Sequence, residues 1–242
     1  MHDDTDIVVK RAIALAKDGH VEAGVRHLEQ AAQSKPCEPR IYHYWGLLLG
    51  MLGDDENALR KFDDAIKLKP DYADAYYEKG MVLREAGKLG DAIANFRRAV
   101  EFDPNLAEAY QNWGGVLYQQ RDYPGAVAKF QKAIEVQPDY AEAYFSWANL
   151  LRDQKDYAGA DEKYSEVIKR RPDWAAAYYN WAISLMHKGD RAEARDMFGR
   201  AFYLKPDLYG VFTVQAAQFG WHRKLRVLKR VDGSLYLVDI DE

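Results

Sequence analysis

Apolar residues recur along this chain in a pattern that repeats every 34 residues. In the copy at residues 107–140, small and bulky apolar residues occupy places 4, 7, 8 and 11, and a second set occupies places 20, 24 and 27. Each set has the spacing of one face of an α-helix. Pro138, at place 32, is then expected to end the second helix. The pattern therefore predicts one pair of packed helices per copy, and such a pair needs its neighbours for stability.

Six copies follow one another without an insertion or a deletion, which predicts an all-α chain of stacked helix pairs. The first copy fits least well, with Val8 at the aromatic place 4 and Arg11 at the tryptophan place 7. A terminal copy packs on only one neighbour, so a weaker fit is expected there. The six copies are residues 5–38, 39–72, 73–106, 107–140, 141–174 and 175–208.

Place 15, between the two helices of a copy, is glycine in four copies. We expect this residue to adopt a left-handed conformation that ends the first helix, which glycine does without strain. Arg121 and Lys155 occupy the same place in the fourth and fifth copies, at an expected cost of about 1 kcal/mol each. Asp71, Asn105 and Asp139 follow the proline that ends a copy, and we expect them to contribute capping interactions at the start of the next helix.

The pattern changes after the sixth copy. Residues 209–220 predict one more first helix, which we expect to cap the end of the stack. Residues 221–242 form a charged tail, in which a predicted β-hairpin joins segments at 225–231 and 235–240 through an Asp-Gly turn. A two-stranded hairpin is marginally stable alone, so it must pack against something. An amphipathic helix over 225–231 is the alternative for the first of these segments.

Composition and charge limit the classes of partner that we expect for the protein. The chain has 242 residues and a net charge of −4, so no positive field of the whole molecule attracts nucleic acid. Five basic residues lie within 223–230, but we expect them to pair with acidic residues rather than to bind nucleic acid or a membrane. The single cysteine, Cys37, excludes an internal disulfide and predicts a cytoplasmic protein. Neither a secretory signal nor a membrane span is expected.

The sequence offers little candidate chemistry. The six histidines are scattered without metal-ligand spacing, and none of the five serines stands in the sequence context of a catalytic nucleophile. The chain has no glycine-rich phosphate loop, and its paired aspartates lack the remaining ligands of a calcium loop. Four of the six tryptophans occupy place 7, which helix packing explains. We therefore expect no enzyme activity, no catalytic or metal-binding residues and no cofactor.

With these residues in view, the chain resembles the tetratricopeptide repeat (TPR) proteins over residues 5–208. The resemblance rests on a whole pattern that recurs, represented in the second copy by Tyr42, Trp45, Gly46, Leu49, Ala58, Phe62, Ala65 and Pro70. It implies a right-handed superhelical solenoid of helix-turn-helix repeats, with the first helices lining a concave groove and the second helices outside. TPR proteins generally act as adaptors or scaffolds that hold extended peptides or partner helices.

The resemblance places the binding surface on the first helices, at places 2, 5, 6, 9, 12 and 13 of each repeat. We expect these places to be surplus to the packing of neighbouring repeats. Their amides would then bond a peptide backbone, and their aromatic rings would hold apolar side chains. The expected groove residues are Tyr77, Met81, Arg84, Gln111, Asn112, Tyr118, Phe145, Asn149, Arg152, Tyr179, Asn180 and Ile183.

Two groove chemistries of this family can be compared with the chain. The carboxylate clamp of chaperone-binding members is represented only by its two asparagines, here Asn149 and Asn180. Phe145, Gly210 and Val214 stand where its cations should be, so a terminal carboxylate would lack its charge partners. The asparagine ladder of O-linked N-acetylglucosamine transferases is matched in only two repeats. We therefore carry over neither ligand.

Together these observations predict an adaptor or scaffold that binds an extended segment of another protein in the concave groove. Two alternatives remain open. The first is a homo-oligomeric structural scaffold that assembles through the tail at 221–242, and the second is an adaptor anchored to a surface through the basic cluster at 223–230.

Overall fold

The computed structural model describes residues 4–208, 225–229 and 235–239. These residues contain twelve α-helices and two short β-strands. Each predicted repeat contributes a first helix of 13 or 14 residues and a second helix of 14 residues. The helices are α1 (Asp4–Lys17), α2 (Val21–Ser34), α3 (Pro39–Met51), α4 (Asp55–Leu68), α5 (Ala73–Glu85), α6 (Leu89–Phe102), α7 (Ala107–Gln119), α8 (Tyr123–Val136), α9 (Ala141–Asp153), α10 (Tyr157–Arg170), α11 (Ala175–Lys188) and α12 (Arg191–Leu204).

Residues 1–122 form one compact unit, and residues 123–242 form a second. In the first unit α1 packs on α2, α3 on α4 and α5 on α6, and α2, α4 and α6 each pack on the helix that follows. The first helices α1, α3, α5 and α7 are also in contact in that order, and we call their exposed side the first-helix face of residues 1–122. In the second unit α9 packs on α10 and α11 on α12, with α8 against α9 and α10 against α11. The predicted all-α repeat fold is therefore confirmed.

The core of each repeat is built from the small and aromatic residues of the repeating pattern. Ala58 and Phe62 of α4 are 0% and 1% exposed. Gly46 of α3 lies directly against that ring, because a Cβ atom at this position would stand 2.7 Å from Cε1 of Phe62. Gly80 has the same relation to Phe96 in the next repeat, at 2.8 Å. The small residue at place 8 therefore lets the two helices of a repeat approach closely.

The turns between paired helices have the predicted left-handed conformation. The four glycines at place 15 have φ angles between 74° and 101°. Arg121 and Lys155 adopt φ angles of 64° and 65° at the same place, which is unfavourable for residues with a Cβ atom. Both residues therefore carry the backbone strain that the sequence predicted.

The predicted capping of the first helices is wrong. The N-cap residues of α5, α7 and α9 are Tyr72, Leu106 and Tyr140, and none of them makes a side-chain capping bond. Each lies one residue beyond the Asp or Asn that the sequence favoured. Side-chain caps occur instead at α3, where Glu38 accepts from the backbone N–H of Arg40 at 3.3 Å, and on two second helices. There the carboxylates of Asp54 and Asp156 accept from the backbone of Asn57 and Gly159 at 3.3 and 3.0 Å. Of these three N-cap residues, Tyr72 is buried, whereas Leu106 and Tyr140 are partly exposed.

The tail is described only in part. Strands β1 (Leu225–Lys229) and β2 (Leu235–Asp239) pair antiparallel, with Val227 opposite Leu237, and lie beside α12. The alternative of a helix over 225–231 is therefore wrong for residues 225–229. The turn of the predicted hairpin and the predicted capping helix at 209–220 lie outside the described residues, so both stay predictions.

Candidate functional site

Place 5 of the first helix, which the sequence assigned to the groove, is a packing position. In four of the six repeats this place carries a ring, which lies against the buried aromatic ring at place 24 of the same repeat. Tyr179, for example, is 8% exposed and meets Phe198 edge-on. The expectation that this place is surplus to the fold is therefore wrong for Tyr77, Phe145 and Tyr179, three of the four predicted residues that occupy it. The ring-centroid distances are 6.1 Å for His43–Phe62, 6.0 Å for Tyr77–Phe96, 6.3 Å for Phe145–Tyr164 and 5.4 Å for Tyr179–Phe198.

Two of these rings also contact the last residue of their repeat, which is the N-cap residue of the next first helix. The ring of His43 lies 5.0 Å from that of Tyr72, and the ring of Phe145 lies 4.6 Å from that of Trp174. Tyr72 and Trp174 are the N-cap residues of α5 and α11. Place 5 therefore links the two helices of one repeat to the first helix of the following one.

Three predicted groove residues of the first unit form one hydrogen-bonded cluster between α5 and α7. The Nδ2 amide of Asn112 donates to the hydroxyl of Tyr77 at 3.1 Å and to the carbonyl oxygen of Glu108 at 2.9 Å. Its Oδ1 accepts from the guanidinium of Arg84. Asn112 is 8% exposed, and both of its N–H donors are used inside the protein. Burial, followed by the charges of Glu78 and Glu108, raises the pKa of Tyr77 to about 12, so its hydroxyl stays protonated.

Beside this cluster, a pocket with acidic lining opens between α3, α4 and α5. We call it the acidic pocket. Its volume is about 180 Å³, and its lining carries three carboxylates and no basic side chain. Burial and then the nearby Asp74 raise the pKa of Glu78 to about 7. Among the described residues, no hydrogen bond or ion pair engages the Glu78 carboxylate. The lining residues are Gly46, Leu47, Gly50, Asp55, Phe62, Glu78, Met81, Val82 and Glu85.

A second pocket on the same face lies between α1 and α3, and we call it the apolar pocket. It measures about 370 Å³ and is lined by Ile13, Ala16, Lys17, Tyr44, Leu47, Leu48 and Met51. Met51 is 63% exposed, so most of its side chain is accessible to solvent at this pocket. Leu47 lines both pockets, so they adjoin on the first-helix face of residues 1–122.

In the second unit, Asn149 has a role inside its own repeat. Its Oδ1 accepts a hydrogen bond of 2.7 Å from the hydroxyl of Tyr164, which is 0% exposed. Place 24 is phenylalanine in four other repeats, so the tyrosine here brings a hydroxyl into the core. A buried hydroxyl requires a hydrogen-bond partner, and Asn149 supplies one.

The other predicted residues of the second unit are more accessible. Asn180 and Ile183 of α11 are partly exposed. The guanidinium of Arg152 donates to the neighbouring Asp153 at 2.9 and 3.0 Å. Arg152, with Tyr157 and His187, also lines an open recess of about 650 Å³.

In the first unit Gln111 and Tyr118 of α7 are likewise partly exposed, and Met81 lines the acidic pocket.

Sequence reasoning missed the first two repeats as a source of site residues. Tyr44, Leu47 and Met51 occupy places 6, 9 and 13 of the second repeat, which are groove places by the same rule. Glu78 occupies place 6 of the third repeat, which the sequence assigned to the groove. Their places in the 34-residue repeat already indicated that these residues face the groove. Nothing in the sequence showed that they line two adjoining pockets.

The structure adds two observations on ligands and membranes. Within the described ranges, no three His, Cys, Asp or Glu side chains are arranged to hold a metal ion. No helix in that part of the chain is both long and apolar enough to cross a membrane.

Three family models of tetratricopeptide repeats match the chain. One matches residues 61–94, one matches residues 80–121, and one matches residues 112–173 and 145–207. Taken together they cover residues 61–207 without a gap. No curated protein sequence matches the chain significantly.

Solved structures with the same fold include several TPR proteins. MamA shares 25% identity with this chain over 68% of this chain and 96% of its own, with a TM-score of 0.61. YrrB shares 24% identity over 79% and 97% of the two chains, with a TM-score of 0.60. PilF of Pseudomonas aeruginosa shares 17% identity over 87% and 96%, with a TM-score of 0.74. The repeat pattern, the paired helices, the matching models and these structures agree that the chain belongs to the tetratricopeptide repeat family.

Proposed function

We propose that this protein is a non-enzymatic adaptor that binds an extended segment of another protein on the face formed by its first helices. One observation carries the proposal: the first-helix face of residues 1–122 holds two adjoining pockets that share Leu47. Neighbouring repeats do not fill these pockets, and Met51 at the apolar pocket remains exposed to solvent. Exposed apolar surface of this kind is typical of interaction sites.

The family supports the same function. TPR proteins are generally interaction scaffolds, and the similar structure YrrB is described as a TPR protein with an unusual peptide-binding site. We still propose that groove residues of this chain bind the partner, but not all of the residues expected from the sequence. Asn112 and Asn149 bond within the fold, so we place recognition on the pocket residues and on the more exposed Asn180 and Ile183.

A cytoplasmic location is also part of the proposal. It is supported by the composition of the chain, in which the single cysteine, Cys37, is exposed and forms no disulfide.

The test is a selection of short segments from a random peptide display library on the purified chain. We expect enriched peptides that bind with micromolar affinity and that weaken at least about tenfold when Met51 or Met81 is changed to alanine. Leu68→Ala is the matched control, because Leu68 is an apolar residue of the second helix α4 and is 39% exposed. Failure to enrich any segment, or equal binding by all four proteins, would rule out this face as a peptide site.

Self-association through the tail is the second candidate. The sheet of β1 and β2 has two strands, so each strand has an edge that pairs with no other described strand. Leu228 of β1 is 37% exposed. Light scattering on the full chain and on a chain ending at Gly220 tests this candidate by giving the number of chains per particle. The same number for both chains would exclude assembly through the tail.

A further inference from the structure

We propose that the first-helix face of residues 1–122 recognises a segment in which a lysine or arginine lies about three residues from a bulky apolar side chain. The cation enters the acidic pocket beside Glu78, and the apolar side chain enters the apolar pocket beside Met51. This inference rests on the proposed function and narrows its class of partner.

Charge complementarity selects a cation for the acidic pocket. Asp55, Glu78 and Glu85 contribute carboxylates to its lining, and no lysine, arginine or histidine belongs to that lining. Only Glu85 has a basic neighbour, with its Oε1 at 3.9 Å from Nη2 of Arg84. That guanidinium is already bonded to Asn112. A cation from a partner would therefore meet negative charge that the described part of the chain does not neutralise.

The shape and apolar lining of this pocket favour a long side chain with a charged end. Leu47, Met81 and Val82 line it together with the carboxylates. Lysine and arginine carry apolar stems that pack along such surface while the charged end reaches a polar partner. The volume of about 180 Å³ suits one side chain. Pockets for drug-sized ligands are larger, at about 300–1,000 Å³.

The neighbouring pocket sets the second requirement. Its lining is almost entirely apolar, and Lys17 is its one charged residue. Leucine, isoleucine, methionine or phenylalanine would bury apolar surface there. The two pockets lie one first helix apart, and packed helices have axes about 8–10 Å apart. An extended chain advances about 3.3 Å per residue, so about three residues separate the cation from the apolar side chain.

The ionisation of Glu78 supports this arrangement. Burial raises the pKa of this carboxyl to about 7, and a bound cation would favour its charged form. Binding of a lysine segment should therefore strengthen as the pH rises from about 6 to about 8. Asp55 of α4 and Glu85 of α5 share the pocket with Glu78, and Asp74 of α5 acts on its charge. Tyr77 of α5 also interacts with Glu78, and Tyr77 is in turn influenced by Glu108 of α7 and by Arg84. From α3, the pocket lining contains Gly46, Leu47 and Gly50.

The experiment measures the fluorescence anisotropy of labelled ten-residue peptides with the full chain. One leucine is fixed in an alanine, glycine and serine background, and a single lysine is placed one to five residues away. Norleucine replaces lysine in a matched set, which keeps most of the apolar stem and removes the charge. We expect the tightest binding with lysine about three residues from leucine, and at least about tenfold weaker binding of the matched norleucine peptide at pH 8.

Variants of the chain assign the effect to the pocket. Glu78→Gln should reduce the preference for lysine over norleucine at least about fivefold and remove its rise with pH. Met51→Ala should weaken both peptides equally. Glu101→Gln is the matched control, because Glu101 is an exposed carboxylate of the second helix α6 that pairs with Arg98 at 2.8 Å. Thermal unfolding of each variant establishes that the fold is intact.

Three outcomes overturn the inference. Equal affinity for lysine and norleucine peptides, or a lysine preference that survives Glu78→Gln, would exclude the acidic pocket as a cation site. Self-association of the free chain that Glu78→Gln abolishes would assign the pocket to a second copy of this chain. The proposed function fails separately, since it predicts enriched peptides whether or not they carry a cation.

Discussion

The hydroxyl of Tyr72 lies 3.1 Å from Nδ1 of His43, inside the core of residues 1–122. His43 is 6% exposed, and burial lowers its pKa to about 4. Burial also raises the pKa of Tyr72 to about 12, so the hydroxyl keeps its proton and can donate it to the neutral imidazole. The pair joins α3 to the start of α5. It places a histidine at a position where two other described repeats have tyrosine and one has phenylalanine.

This pair predicts a loss of stability in mild acid. An unfolded histidine binds its proton below about pH 6.5, whereas folded His43 binds it only below about pH 4. Burial of the neutral imidazole therefore costs no stability from protonation above about pH 6.5, and the free energy of unfolding decreases as the pH falls towards 4. We expect the wild-type chain to lose about 2–3 kcal/mol more than His43→Phe between pH 7 and pH 4. Urea unfolding at several pH values measures the difference.

The matched control for this prediction is His20→Phe, because His20 is exposed in the turn before α2. That variant should keep the pH dependence of the wild-type chain. An unchanged pH dependence in His43→Phe would contradict the assignment.

Glu78 predicts the opposite trend with pH. Its pKa is raised to about 7 by burial, so the protonated form is favoured in the folded chain. The stability that this group contributes is complete below its unfolded pKa of about 4.3 and is lost as the pH rises through 7. Because its side chain is partly exposed, we discount the effect to about 1–2 kcal/mol. Glu78→Gln should therefore melt at a higher temperature than wild type at pH 8 and at a similar one at pH 4.5. A lower melting temperature at pH 8 would contradict this.

The two strained turns predict substitutions that stabilise the protein. Lys155→Gly and Arg121→Gly remove a Cβ atom from residues with φ near 65°. Each should raise the free energy of unfolding by up to about 1 kcal/mol, because glycine adopts this conformation without a steric penalty. Gly53→Ala is the reverse control at φ 75° and should destabilise by a similar amount. Thermal melts of the three variants decide, and destabilisation by both glycine substitutions would refute the explanation.

The bond between Asn149 and Tyr164 predicts an energetic coupling. Asn149→Ala removes the acceptor that lies 2.7 Å from a fully buried hydroxyl, at an expected cost of about 1–2 kcal/mol. In a Tyr164→Phe background the same change should cost much less, because the hydroxyl is gone. A double-mutant cycle by chemical unfolding should give a coupling energy of about 1 kcal/mol. Independent effects of the two substitutions would show that the bond has no stabilising role.

Most of the fold follows from the amino-acid pattern alone. Apolar residues at helical spacing located the paired helices, because a helix buries whichever face its periodicity makes apolar. The left-handed turns at Arg121 and Lys155 followed from their alignment with four glycines. These features depend on local backbone preferences and on a pattern repeated six times, so they can be read without coordinates.

Which first-helix residues are available for binding depends on three-dimensional packing. Tyr77, Phe145 and Tyr179 turn out to pack on rings 19 residues further along the chain, and Asn149 bonds a core hydroxyl. The predicted caps also failed, because α5, α7 and α9 have their N-cap residues one position beyond Asp71, Asn105 and Asp139. The angle at which paired helices meet fixes how deeply each side chain is buried. The raised pKa of Glu78 and the two adjoining pockets follow from that three-dimensional burial, which no spacing along the chain encodes.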